Sequence, residues 1–355
     1  MAFTSLDDLL AKLSQGQTTG PVVWNKQTNA AAHTAGRWYD ASSWAGMPVA
    51  NDWTGTALNW KTCDETTGNG SRIFGIPHNG NVASATKHLI NAMAMTPGLV
   101  PGVLMLVDLQ GYYPGISLNS ATAQTLVGTP TLRYANGAGV RAFMAVTTAA
   151  GATAHNLAMS YTNQAGTAGR TLPVTVSCTA SAVQSHITHS GTAANNYGPF
   201  LPMASGDSGI QSVQSVTISA ASGAGVGALV LARPLMTLPI TTAGVAVERD
   251  LVNQLPSLPR IKDGACLTWL YYAGAATAAS TNFYGALEAA FGWPSWRYCV
   301  TVPPLPCCRS DRLAAGFMLI LPCGIAPSAA IAAPRSHRWP GFPTATSHRQ
   351  AGCSR

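Results

Sequence analysis

Apolar and small polar residues alternate over residues 157–162 and again over 172–178. That period of two marks strands with one face buried. The segment between them, NQAGTAGR, holds two glycines and an asparagine able to take the positive φ of a turn. Residues 155–178 therefore read as a β-hairpin with a long tip. Strand, glycine-rich tip and strand recur along the chain. GVLMLVDLQGYY at 102–113 reads as a buried strand, 131–148 as a second hairpin turning at 135–139, 213–240 as two strands around SGAG at 222–225, and ACLTWLYYAG at 265–274 as an aromatic strand.

Helical spacing is confined to short stretches. Leu6, Leu9, Leu10 and Leu13 form one apolar stripe that Thr4 or Ser5 can cap, with Asp7 and Asp8 in the first turn and Gly16 at the end. The spacing also predicts a helix within 84–95, capped by Ser84 and stopped by Pro97, and one or two helical turns within 248–260 ending at Pro256. SHITHSGTAANNYGPFLPMASGDSGI, residues 185–210, reads as a long polar loop that carries contacts. The fold expected is mainly β: an antiparallel β-sandwich or jelly-roll-like body with a short N-terminal helix and long loops. Its parts are an amphipathic arm at 1–18, a body at 19–292 with a division into two lobes near residue 100 as one option, and a tail at 293–355.

Composition sharpens this picture. Charged residues make up 9% of the chain, where globular domains carry about 25%. So little charge points to a surface covered by copies of the chain or by partners. The net charge of +7 is uneven: residues 1–292 hold thirteen cations and twelve acids, and 293–355 hold seven arginines and one acid. No basic face for nucleic acid is visible in the body. The tail also has no Lys, Asn or Glu and holds nine of 23 prolines and five of eight cysteines. It reads as an off-frame, disordered extension, with the natural body ending near residue 292. Residues 313–334 have the length of a membrane span, but Pro322 and Pro327 break them. The first residues carry no basic leader or cleavage site of a signal peptide.

Candidate chemistry is sparse. Gly206-Asp207-Ser208-Gly209 matches most of the nucleophile motif of chymotrypsin-like proteases, and His33 and Asp108 precede it in that family's order. Ile210 replaces the second motif glycine and Thr34 the usual cysteine, so a surface turn is the competing reading. His186 and His189 would share a metal if helical, but no third ligand is spaced nearby. Cys63, Cys178 and Cys266 stand singly in apolar surroundings, as reduced core residues do. No phosphate-binding glycine loop occurs. No catalytic residue, cofactor or metal is expected. Trp24, Trp38, Trp44, Trp53 and Trp60 crowd one stretch. They read as core and subunit contact, or as platforms for sugar rings. With Asn195, Asn196 and Tyr197 they form the candidate contact surface.

The segments AMSYTNQAGTAGRTLPVTV (158–176), HSGTAANNYGPFLPMASGDSGIQSVQSVTIS (189–219) and ERDLVNQLPSLPRIKDGACLTWLYYAG (248–274) resemble structural proteins of tailed-bacteriophage virions. The resemblance covers about residues 1–292 and carries over no functional residues. It implies a multi-copy, non-enzymatic component of the capsid or of a structure attached to it, located in the virion and assembled in the host cytoplasm. The expected partners are copies of itself and other virion proteins, with no nucleic-acid contact by the body and no membrane. The chain lacks the long charged helix and extended arm of a shell-forming subunit. A capsid-surface or decoration protein is therefore the first expectation, with major capsid, tail or receptor-binding roles as alternatives.

Overall fold

The computed structural model describes residues 6–28, 31–79, 86–98, 101–179, 184–191, 194–253 and 258–292. All of them fall in one compact unit, Met1–Tyr298. The tail at 293–355, and Ser84, lie outside the described residues. In chain order the elements are α1 (Leu6–Ser14), β1 (Val22–Gln27), β2 (Arg37–Asp40), β3 (Ala45–Met47), β4 (Lys61–Thr62), β5 (Thr86–Met95), β6 (Gly102–Ser117), β7 (Gln124–Thr125) and β8 (Arg141–Thr148). There follow β9 (His155–Asn163), β10 (Arg170–Thr171), β11 (Val176–Cys178), β12 (Ile210–Ile218), β13 (Val226–Ile240), β14 (Val247–Asp250), β15 (Arg260–Ile261), β16 (Cys266–Ala273) and β17 (Asn282–Gly292).

The strands form three antiparallel sheets, which makes the chain mainly β with a sandwich body, as its alternation predicts. The first sheet runs β14-β5-β17-β1-β3, with β15 also on β5; the second runs β10-β9-β12-β7, with β11 on β9; the middle sheet runs β2-β16-β6-β13-β8, with β4 on β6. The first sheet packs on one part of the middle sheet around Trp24, Trp44, Leu106, Leu238, Trp269 and Phe283. The second packs on another part around Tyr113, Met144, Met159, Tyr161, Val216 and Leu229. The long strands β6 and β13 supply both cores. In β13, Leu229 and Leu231 serve one core while Met236 and Leu238 serve the other. A register shift between Pro234 and Met236 accounts for that change from odd to even positions. A third cluster, with Trp53, Phe74, Tyr112, Phe143 and Ile187, covers the remaining inward positions of the middle sheet.

The hairpin at 155–178 forms as expected: β11 and β10 both pair with β9. The helix α1 also forms, and Leu9 docks on Ile90 and Ala290. Three expectations need correction. Residues 86–95, read as helix, are β5, paired with β17 on one side and with β14 and β15 on the other. Leu89, Ala92 and Ala94 enter the core, so tertiary pairing overrides the helical spacing. The stretch 131–134 is no strand, because Arg133 turns inward to Asp108 and β8 pairs with β13 instead. Residues 247–250 are β14 rather than helix, followed by a turn in which Asp250 accepts from the amides of Val252 and Asn253.

The expected contact loop at 185–210 is also different at its start. Ser185 to Ser190 are buried despite their polarity. Strand-like bonds hold them: the Val146 amide donates to the His186 carbonyl and the Thr188 amide to Met144. They form a lid on the middle sheet. Cys63, Cys178 and Cys266 are buried free thiols, as expected.

Candidate functional site

Alternation within the first sheet sends Trp24, Lys26, Phe283 and Leu287 inward. It leaves their neighbours on the opposite face. The register sets Met47 beside Asn25, Asn25 beside Tyr284 and Tyr284 beside Met95. The next row sets Val23 beside Ala286 and Ala286 beside Met93. Directly paired positions share a face, so Val23, Met47, Met93, Met95, Tyr284 and Ala286 form one largely apolar surface around Asn25, with Glu248 beside Met93 at its edge. Val23 is 63% exposed, Met47 54%, Tyr284 39% and Met93 38%. A groove of about 310 Å³ runs between them. Its floor depends on Gly285, where a Cβ would lie 2.5 Å from the Trp24 ring and 2.1 Å from the Met93 carbonyl.

The other end of this face is covered. There Leu9 of α1 lies against Ile90 and Ala290, with Leu13, Val252 and Leu258 alongside. One end of the sheet thus carries an apolar cover and the other end is bare. Lys26, which would charge this region, points inward and donates to the carbonyls of Pro48 (2.7 Å) and Trp44 (3.2 Å). Burial lowers its pKa to about 8.

The tryptophans divide. Trp24, Trp44 and Trp53 are core residues. Trp24 lies 5.2 Å from Trp269, and the Trp44 indole donates to the Ser185 hydroxyl at 3.0 Å. Trp60 is partly exposed, packs on Tyr113 and donates to Thr62. Trp38 is partly exposed, packs on Tyr272 and lies under Gly198, next to Tyr197. The chain around Asn195, Asn196 and Tyr197 is tied down, since the Asn196 amide donates to the Ser177 carbonyl at 2.7 Å and the Tyr197 N–H to His189 at 2.8 Å. Asn195 and the Tyr197 ring are exposed. The five tryptophans do not form the exposed row a sugar platform needs.

His33, Asp108 and Ser208 do not assemble. The buried His33 ring stacks on Tyr39 at 3.8 Å, and neither ring nitrogen has a hydrogen-bond partner. Asp108 is fully buried and accepts from Arg133 and from the Cys266 amide at 3.0 Å. Ser208 is exposed, and its amide donates to Gln164. The GDSG turn instead locks the hairpin tip: Asp207 accepts from Tyr161 (2.6 Å), Asn163 (2.7 Å) and Arg170 (3.0 Å). Those bonds hold its carboxyl down to about 2 against burial. His186 and His189 are buried and bonded to backbone: the His189 Nδ1–H donates to the Tyr197 carbonyl, and its Nε2 accepts from the Met144 amide at 3.3 Å. No group of three or more potential ligands for a metal occurs among the described residues. Nor is any described helix long and apolar enough to cross a membrane.

The face that Val23, Met47, Met93 and Tyr284 build was missed by sequence reasoning. Its only local signal is the alternation of 22–27. No protein-family model matches the chain. No curated protein matches it either. Among solved structures, the crystal structure of infectious bursal disease virus VP2 subviral particle aligns over 76% of this chain and 80% of that one, at 9% identity and a TM-score of 0.17. The structure of infectious bursal disease virus Gt strain aligns over 78% and 82%, at 9% identity and a TM-score of 0.14. Scores this low do not establish a shared topology.

Proposed function

We propose that this chain is a non-enzymatic structural component of a virion, a capsid-surface or decoration subunit of a tailed bacteriophage, that packs in many copies against itself. The observation that carries the reading is the bare apolar end of the first sheet, on a chain with only 9% charged residues. A second copy of the chain is the occupant its chemistry fits. The centre of the face is apolar, with Glu248 beside Met93 and Glu288 beside Asn91 at its margin, and its two exposed methionines adapt to an apolar partner. The sequence resemblance supplies the virion and the phage. A receptor-contact role through sugar stacking is less well supported, because Trp24, Trp44 and Trp53 are core.

Sedimentation of the purified chain over a concentration series tests the contact. The wild type is expected to self-associate, and Val23→Lys or Met93→Lys to remain monomeric with an unchanged melting temperature. A wild type that stays monomeric at its highest soluble concentration would count against the second copy as occupant. Peptide mass spectrometry of density-purified particles tests the location, and particles lacking peptides of residues 6–292 would remove the virion reading.

A further inference from the structure

We propose that the pocket between β13 and β15 binds an oxyanion, a phosphate or carboxylate carried on a small organic body. Arg233, Arg260 and Lys262 line it, with Tyr134 as one wall and Pro234, Leu235 and Pro259 as apolar ledges. Its volume is about 420 Å³, far more than a bare ion requires. The site stands apart from the apolar sheet face and does not depend on the virion reading.

Three features make this a built site rather than scattered surface charge. First, Arg233 is fixed. Its guanidinium lies 4.3 Å from the centroid of the Tyr134 ring, and its Nη1–H donates to the Ala138 carbonyl at 2.6 Å. A Cβ at position 139 would come within 3.0 Å of that nitrogen, and Gly139, at φ +71°, leaves the room. Second, the Lys262 ammonium lies 5.8 Å from the centroid of the same ring, so two cations share one aromatic ring. Third, among the described residues none of Arg233, Arg260 and Lys262 has a carboxylate within ion-pair distance, unlike Arg72, Arg133 and Arg170. Burial lowers the Lys262 pKa, Arg260 and Arg233 lower it further, and Asp263 opposes them. An oxyanion among the three would relieve that repulsion and accept charge-assisted hydrogen bonds. The cations converge on one pocket instead of forming a stripe, which fits a small ligand and not a nucleic-acid backbone.

Titration calorimetry on the full chain at low ionic strength, with glucose 6-phosphate, glucuronate and glucose as probes, tests this and separates the two sources of the oxyanion. The expected result is binding of at least one charged probe and none of glucose. Tighter binding of glucose 6-phosphate would assign a phosphate ligand, and of glucuronate a carboxylate ligand. Arg260→Gln, at an exposed position outside the core, is expected to weaken binding about tenfold, the scale of one charge-assisted hydrogen bond. Lys262→Gln is expected to do the same. Absence of binding by both charged probes would overturn the proposal, as would equal affinity of wild type and Arg260→Gln.

Discussion

Asp108 shows how residue identity can suggest one role and burial assign another. In the sequence it stands where a protease acid would stand. In the structure it joins β6 to Arg133 and to the start of β16. Asp108→Asn leaves the buried guanidinium without its charge partner, and the expected loss is about 3–5 kcal/mol in urea unfolding. A loss below about 1 kcal/mol would mean that Arg133 finds another partner. The histidines behave similarly. Burial pushes His33 and His189 down to about 4 and His186 to about 3, with Arg37 adding to the effect on His186. Geometry agrees, since the Met144 amide donates into His189 Nε2 and leaves no lone pair for a proton. These groups remain neutral in the folded chain while the unfolded chain protonates them near pH 6.5, so stability falls as pH drops below that value. At pH 5 each costs about 2 kcal/mol. Asp40, raised to about 6 by burial, opposes them by about 1 kcal/mol at that pH, because its folded form takes up the proton first. The net loss of about 5 kcal/mol is comparable with the whole stability of a domain. Urea midpoints that do not fall between pH 7 and pH 5 would contradict the assignment.

At the scale of elements, the sequence was legible where one strand meets one core. The hairpin at 155–178, the strands within 102–113 and 265–274, and α1 all follow from local alternation or spacing. The reading failed at β5. It is covered on both sides: Leu89 and Ala92 meet the main core, and Ile90 meets α1. A register shift at Glu288 and Ala289 doubles the outward positions at Ile90 and Asn91, so the inward ones step from Leu89 to Ala92. That doubling imitates helical spacing. The helix α1 has nine residues, too few to persist alone in water, so its docking rests on Leu9. Leu9→Ala should cost about 2–3 kcal/mol and release the helix. In hydrogen exchange, α1 amides would lose protection while β5 amides retain it, and equal protection in the variant would show that other contacts hold the helix. Release would also bare the covered end of the sheet and increase self-association.

At the scale of the molecule, the apolar sheet face and the cationic pocket were both beyond local reading. Val23, Met47, Met93 and Tyr284 become neighbours only through the β1–β17 and β5–β17 registers. Arg233 meets Lys262 only because β13 and β15 flank Tyr134. Low charge nevertheless pointed to covered surface, and the body supplies a face suited to it. The two cores share β6 and β13, so the body should melt in one transition. Leu238→Ala in one core and Leu229→Ala in the other should each lower the same calorimetric midpoint by several degrees, about 2–5 kcal/mol of cavity cost being typical. Two resolved transitions would refute a shared core. The same two strands also decide how the body carries a load. A pull that tries to part the first sheet from the second runs lengthwise through β6 and β13, so covalent backbone bears the tension. The halves separate by opening one of the two apolar cores or by drawing a strand out of its sheet.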